Sequence, residues 1–189
     1  MLNSITTLRS KIRAVVADII TTEPETFTYT NSATFILAEE HIQNIVKVTK
    51  NGVELSTGEY SFDSSTNKLT ITASLSGISN IEVIYTYYKY SNTEIDEYVR
   101  ASLVWLSIFD VSENDYEVED DDIYPEPDGR TMDLIALVAS ILAKPDWTEY
   151  RLPNLTVKYT GRISKEDRIE KLINRFTLGL GVTDVLEFD

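Results

Sequence analysis

The sequence contains no cysteine and only one histidine, His41. The missing thiols exclude thiolate nucleophiles, disulfide frameworks and sulfur-ligated zinc or iron–sulfur sites. A zinc-bound histidine wants a partner histidine, and a catalytic one wants an oriented carboxylate. We therefore expect His41 to be a surface loop residue rather than a catalytic base or a metal ligand.

The motifs that carry common enzyme chemistry are also missing. No G-x-S-x-G elbow, no G-x-x-x-x-G-K-[ST] phosphate loop and no G-x-G-x-x-G dinucleotide fingerprint occurs. The glycines of "LGLGV" follow a predicted helix, so they cannot present a helix N-terminus to a phosphate. These absences predict a protein that is not an enzyme, with no catalytic residue, cofactor or metal ligand.

Long apolar runs are missing as well, because no stretch approaches the ~20 residues that a membrane span requires. Residues 1–20 instead show apolar side chains three to four positions apart, with Arg9, Lys11 and Arg13 between them. This pattern predicts an amphipathic helix rather than a signal peptide or a membrane anchor.

Basic residues are scarce. The chain has 17 lysines and arginines against 31 acidic residues, and its formal net charge is −14. Because phosphate contacts depend on lysine and arginine, this balance disfavours a protein that reads nucleic acid through a broad basic surface. It is compatible with a protein that DNA must pass without adhering.

The acidic excess is concentrated in residues 113–129, which hold nine carboxylates. Pro125 and Pro127 exclude a helix there, and the interspersed apolar residues predict a partly anchored loop. The stretch lacks the glycine and the spacing of an EF-hand, although an irregular calcium site or a metal-dependent enzyme stays open. A solvated loop is the plainest interpretation. The residues of a candidate channel wall or interface are Glu117, Glu119, Asp120, Asp121 and Asp122.

The hydrophobic periodicity changes twice along the chain. It is helical at first, then alternating with an Asn51-Gly52 hairpin turn, then helical again with one short extended piece. We predict an α+β fold. Residues 1–23 and 91–180 form a helical bundle of about four helices, and residues 24–90 form a small antiparallel β-sandwich-like insertion between helices 1 and 2.

An apolar tail, residues 181–189, follows the last predicted helix. Apolar tails with glycines usually dock onto another surface. Together with the end of that helix, the predicted docking residues are Leu178, Leu180, Val182, Val185, Leu186 and Phe188.

The last predicted strand of the insertion is rich in tyrosine. Tyr85 and Tyr87 share one face, and Tyr88 and Tyr90 share the other. Such residues commonly form cross-strand packing. They also suit the stacking of a ligand, so a non-catalytic module that recognises a glycan or a protein is an alternative function.

The order of the helical segments resembles a known family. An N-terminal helix, "TEIDEYVRASLVWLSIFD", "TMDLIALVASILAK" and "RLPNLTVKYTGRISKEDRIEKLINRF" follow one another as in the head-to-tail connector (adaptor) proteins of tailed bacteriophages. The similarity covers residues 1–22 and 92–180 and consists of helix order, helix length and a loop-plus-helix ending. The β insertion departs from the minimal form of that family.

The resemblance implies a structural virion protein without catalytic residues, assembled in the host cytoplasm. It implies a homo-oligomeric ring of about twelve copies, bound to the portal protein on one side and to a tail or stopper protein on the other. DNA would pass through transiently without specific binding, and no membrane is involved. The acidic loop would line the channel or meet a neighbour, and the tail would reach a neighbour or the portal.

Overall fold

The structure is a computed structural model that describes residues 3–29, 32–75, 79–111, 115–161, 163–177 and 185–188. The chain divides into two compact units. The mixed unit comprises Met1–Asp18 and Asn92–Asp189, and the β unit comprises Ile19–Ser91. The boundaries predicted from the sequence lay after residues 23 and 90.

The described residues of the β unit form two antiparallel sheets. One has the spatial order β1-β7-β3-β4 and the other the order β2-β6-β5. In chain order, the strands are β1 (Thr21–Thr28), β2 (Thr34–Ile36), β3 (Ile42–Lys50), β4 (Val53–Glu54), β5 (Tyr60–Asp63), β6 (Lys68–Ile71) and β7 (Asn80–Tyr87).

Both sheets of the β unit contribute to one hydrophobic core. On β7, Ile81, Val83 and Tyr85 are fully buried, and they meet Phe35 of β2 and Leu69 of β6. β7 lies between β1 and β3, so it is a central strand of its sheet. The alternation read from its sequence therefore corresponds to the buried face of the sheet.

The turn between β3 and β4 confirms the predicted hairpin. Lys50 pairs with Val53 across it, and Asn51 and Gly52 adopt φ angles of 50° and 81°. Two consecutive left-handed residues are the requirement of a type I′ turn, and asparagine followed by glycine is the sequence that meets it most easily.

The mixed unit contains four helices, a hairpin and a three-stranded sheet among its described residues. The hairpin joins β8 and β9, and the sheet has the order β10-β11-β12. The elements are α1 (Ser4–Val15), α2 (Asn92–Ile108), β8 (Glu117–Glu119), β9 (Asp122–Tyr124), α3 (Gly129–Ala143), β10 (Glu149–Leu152), β11 (Leu155–Tyr159), α4 (Lys165–Thr177) and β12 (Val185–Phe188).

α3 is the central element of the mixed unit. Every residue from Leu134 to Ile141 is buried, and the helix packs against α1, α2, α4 and β10. A helix that is apolar on all sides needs partners all round. Asp128 caps its N-terminus by accepting the N–H of Thr131 at 2.6 Å, and this contact lowers the pKa of the Asp128 carboxyl.

The prediction of a helical bundle is wrong. The described residues hold four helices and twelve strands in four sheets, so the protein is rich in strands. In the mixed unit the sheet supplies part of the core, because Tyr150, Val157 and Tyr159 are at most 2% exposed. The helices share their apolar faces with this sheet instead of closing only on one another.

Within the described ranges, no helix has the length and apolar character that crossing a bilayer requires.

Candidate interaction surfaces

The acidic stretch folds as the hairpin of β8 and β9. Glu117 pairs with Tyr124 and Glu119 with Asp122, while Asp120 at the turn has a φ of 52°. Ile123 is 1% exposed and anchors the hairpin to the unit. The expected partly anchored loop is therefore a short hairpin with one buried side chain, and Glu113 lies outside the described residues.

Two of the five predicted acidic residues hold the start of α1. The carboxylate of Asp122 accepts the N–H of Ser4 at 2.8 Å and its hydroxyl at 3.2 Å. The carbonyl oxygen of Asp121 accepts the N–H of Ile5 at 3.1 Å. Asn3 accepts the N–H of Thr6 at 2.8 Å. N–H groups in a first turn lack partners within the helix, so the hairpin completes the cap.

Arg9 links the hairpin and two helices. Its guanidinium donates two hydrogen bonds to the carboxylate of Asp96 on α2, at 2.7 and 2.6 Å, and lies 3.5 Å from the carboxylate of Asp121. The hydrogen bond to Asp96 is the main cause that raises the pKa of Arg9. Asp96 is thus engaged inside the unit, whereas the Asp121 side chain is 57% exposed and its carboxylate also faces solvent.

The other three predicted residues, Glu117, Glu119 and Asp120, are exposed. No ion pair of these three side chains is found within the described part of the chain. The described residues also contain no group of three or more acidic, histidine or cysteine side chains that could hold a metal ion. What the hairpin offers outwards is negative charge together with the ring of Tyr124, which is 52% exposed.

The described part of the predicted tail is the edge strand β12. It runs parallel to β11, with Thr156 opposite Val185 and Tyr159 opposite Phe188. Leu186 is 3% exposed, Val185 is 45% exposed, and the ring of Phe188 stacks on Tyr159 with centroids 5.3 Å apart. The tail therefore docks on its own unit in the single chain. Leu178, Leu180 and Val182 lie outside the described residues.

An apolar face on α2 is a candidate surface that the sequence analysis missed. Val104 and Ile108 are 59% and 65% exposed. Trp105 and Phe109 stack beside them with centroids 6.2 Å apart and are partly buried. With the exposed Ala101, these residues repeat three to four positions apart along one side of the helix. We call Ala101, Val104, Trp105, Ile108 and Phe109 the α2 face.

The buried side of α2 is separate from the α2 face. The inner stripe of α2 consists of Ile95, Val99, Leu103 and Leu106, all at most 5% exposed, while the α2 face lies outside it. A groove of about 410 Å³ lies beside this face, between α2 and β8. Its lining includes Arg100, Asp115 and Glu117, so both signs of charge meet there.

The tyrosines of the β unit do not form one open platform. Tyr85 is fully buried, Tyr87 packs against the core, and their ring centroids are 6.2 Å apart. Tyr88 and Tyr90 are partly buried. Cross-strand and core packing thus accounts for two of the four tyrosines.

His41 has a φ of 57° and lies 3.8 Å from the Glu40 carboxylate.

Comparison with known proteins does not assign the chain to a family. No protein-family model matches it, and a search of curated proteins finds no significant match. The resemblance to phage connector proteins stays a prediction from the order of the helices.

Proposed function

We propose that this protein is a structural virion protein: a head-to-tail adaptor that forms a ring on the portal and links the DNA-filled head to the tail. The proposal assigns no catalysis. Its partners are copies of itself, the portal protein and a tail or stopper protein.

The observation that carries the proposal is the exposed α2 face. Single exposed apolar residues are ordinary, but a row of three on one side of a helix, beside two partly buried aromatic rings, marks an interaction surface. Trp, Tyr and Phe are enriched where proteins meet because each buries a large area at a small cost in rotamer entropy. A subunit of an obligate ring needs such a face towards its neighbour.

The charge of the exposed hairpin also supports the proposal. Glu117, Glu119 and Asp120 face solvent on a hairpin that is fixed to the fold through Ile123. When a ring repeats these side chains around a channel, their fields add and repel the DNA phosphates. A fixed negative wall lets the duplex move past without adhering.

The test is to place charge on the α2 face with Val104→Glu and Ile108→Glu together. Both side chains are more than half exposed, so we expect the chain to fold with an unfolding free energy within about 1 kcal/mol of the parent. A buried carboxylate at the contact between copies is strongly unfavourable. We therefore expect ring formation, measured by light scattering and electron microscopy with and without portal, to be lost.

A matched control carries the same charge change on the β unit. Ile36 and Val46 are 71% and 57% exposed, and Ile36→Glu with Val46→Glu should leave the ring intact. If the parent protein stays monomeric and never joins the portal, the proposed function is wrong. If the parent forms rings and the α2 variant does so equally well, the function stands but the face has been misassigned.

A further inference from the structure

We propose that Asn51 is a site of spontaneous deamidation, at which the asparagine converts to aspartate and isoaspartate without an enzyme. It lies in the two-residue turn between β3 and β4, and it is the one asparagine in the sequence that a glycine follows. The inference goes beyond the proposed function and does not depend on it, because the reaction needs only the chain and water.

The reaction joins the main-chain nitrogen of Gly52 to the side-chain carbon Cγ of Asn51. The nitrogen gives up its proton and attacks Cγ, the Cγ–Nδ2 bond breaks, and Nδ2 takes up the proton and leaves as ammonia. The product is a cyclic succinimide. Water then opens this ring, and cleavage at Cγ gives aspartate whereas cleavage at the main-chain carbonyl carbon gives isoaspartate. No electrons are transferred, so no oxidant or reductant is required.

The attacking nitrogen is open to the solvent. Asn51 and Gly52 are both exposed, and a Cβ placed on Gly52 would meet no atom within 4 Å. Among the described residues, the N–H of Gly52 has no hydrogen-bond partner. Because glycine has no side chain, nothing on the residue itself shields its nitrogen from the approaching Cγ.

The side chain of Asn51 is held at its oxygen and not at its nitrogen. Oδ1 accepts the N–H of Asn80 at 2.8 Å, and the N–H of Asn51 donates to the carbonyl oxygen of Asn80, also at 2.8 Å. Nδ2 has no partner within the described part of the chain. Negative charge develops on Oδ1 when the nitrogen adds to Cγ, and a positioned N–H stabilises such charge. The contact with Asn80 therefore favours the attack.

The hairpin offers little resistance to the backbone movement that the attack requires. The nitrogen of Gly52 reaches Cγ by rotation about the Cα–C bond of Asn51. β4 has only two residues and lies at the edge of its sheet, and short edge segments open at a lower free energy than central strands. The turn can therefore open while β3 stays paired with β7.

Conversion changes both the charge and the backbone of the turn. Either product adds a carboxylate to a chain whose formal net charge is already −14. Isoaspartate also lengthens the main chain of a two-residue turn, whose length fixes the register of β3 against β4. We expect aspartate to keep the pairing of Lys50 with Val53 and isoaspartate to lose it.

Peptide mapping of the full-length, folded chain tests the site, and it has an internal control. Trypsin cleaves after lysine, so residues 51–68 form one peptide that contains both Asn51 and Asn67. Asn67 also has a φ of 50°, but Lys68 follows it instead of glycine. The two sites thus share a left-handed backbone and differ in the residue that supplies the attacking nitrogen.

The protein is kept at mildly alkaline pH for several days and sampled at intervals. Digestion in water labelled with oxygen-18 marks any conversion that occurs during the digestion itself. Fragmentation of the peptide then assigns the gain in mass, from the replacement of NH by O, to one asparagine or the other. We expect Asn51 to convert at least about ten times faster than Asn67, which corresponds to about 1.4 kcal/mol of activation free energy.

Gly52→Asn tests the contribution of the glycine. Asparagine tolerates the left-handed backbone, and its Cβ meets no neighbouring atom, but it shields the attacking nitrogen. We expect the variant, shown to be folded by circular dichroism, to convert at Asn51 as slowly as at Asn67. Equal rates at the two asparagines of the parent would overturn the proposal, as would an unchanged rate at Asn51 in the folded variant. Should the variant not fold, the comparison within the parent chain decides alone.

Discussion

At the scale of single residues, the buried hydroxyl of Tyr85 is the clearest source of a pH effect. The phenol donates to Oε2 of Glu25 at 3.1 Å, and the same oxygen accepts the N–H of Ala38 at 3.0 Å. Burial is the largest cause that raises the pKa of Tyr85 to about 12, and the Glu25 carboxylate contributes further. The neutral phenol is therefore the form that the folded β unit holds.

This shift predicts a loss of stability in alkaline solution. An unfolded tyrosine loses its proton near pH 10, whereas folded Tyr85 keeps it up to about pH 12. Its contribution is fully present below pH 10 and falls as the pH rises through that window, by at most about 1.4 kcal/mol per pH unit. Tyr85→Phe should be about 1 kcal/mol less stable at pH 8 but lose stability less steeply between pH 10 and 12.

Urea unfolding followed by circular dichroism at several pH values measures this difference. Tryptophan fluorescence does not report on it, because Trp105 and Trp147 both belong to the mixed unit. Glu25→Gln, which removes the charge beside the phenol, should move the pKa of Tyr85 back towards 10. Parallel stability curves for the parent and Tyr85→Phe would contradict the assignment.

At the scale of elements, the acidic hairpin acts as the cap of a helix that is distant in sequence. Asp122 accepts two hydrogen bonds from Ser4, and its negative charge lies at the positive end of the α1 dipole. We expect Asp122→Ala to lower the free energy of unfolding of the mixed unit by about 1 to 2 kcal/mol. Urea unfolding followed by tryptophan fluorescence measures this change.

Glu119→Ala is the matched control for the cap, because it removes an exposed carboxylate from the same hairpin. A surface substitution without a special contact changes stability by less than about 0.5 kcal/mol. Equal losses in the two variants would show that the Ser4 contacts do not stabilise the helix. The hairpin thus contains acidic residues that hold α1, such as Asp122, and acidic residues that only face solvent, such as Glu119. The charge pattern of the sequence does not distinguish them.

How far the sequence predicts the fold depends on the range of the interactions. α1, α3 and α4 are confirmed as helices because their apolar periodicity is local, and the Asn51-Gly52 turn is confirmed because it depends on two adjacent residues. β12 was missed as a strand because its partner, β11, lies before α4 and no local pattern encodes a parallel pairing. The prediction of a helical bundle was wrong for the same reason, because the sheet that shares the core of the mixed unit includes this long-range pairing.

The candidate surfaces show the same limit. The row of apolar residues on α2 was visible, but its periodicity gives the spacing of side chains and not the side that other elements cover. Arg168 is the opposite case, a charged residue that is buried. It is 6% exposed and donates to the carbonyl oxygens of Pro145 and Trp147 at 2.6 and 2.7 Å, yet it occurs in a charged helical segment that predicts solvent exposure.

At the scale of the whole molecule, the negative charge is unevenly divided. The mixed unit carries 23 acidic and 13 basic residues and the β unit carries 8 and 4, so ten of the fourteen net charges belong to the mixed unit. The whole acidic stretch, residues 113–129, which we propose as the channel wall, lies in this unit as well. On our proposal, the unit with the larger negative charge is therefore the one that would repel DNA most strongly.

Reversing the exposed charge of the hairpin tests its assignment to a DNA channel. We expect Glu117→Lys, Glu119→Lys and Asp120→Asn to leave the fold intact, because Asp121 and Asp122, which hold α1, are retained and asparagine tolerates the left-handed turn. Rings of this variant should retain duplex DNA at 50 mM salt and release it at 200 mM, since counterion release makes such binding steeply dependent on salt. Parent rings should retain none.

The control for this reversal is the same change of charge on the β unit, with Glu40→Lys, Glu54→Lys and Glu23→Gln. If the hairpin lines the channel, DNA retention on a filter and slower DNA release from assembled heads should appear only in the hairpin variant. Equal retention by both rings would mean that net charge matters and position does not. If neither ring retains DNA, the hairpin faces a neighbouring subunit or solvent, and the channel wall must be formed by other residues.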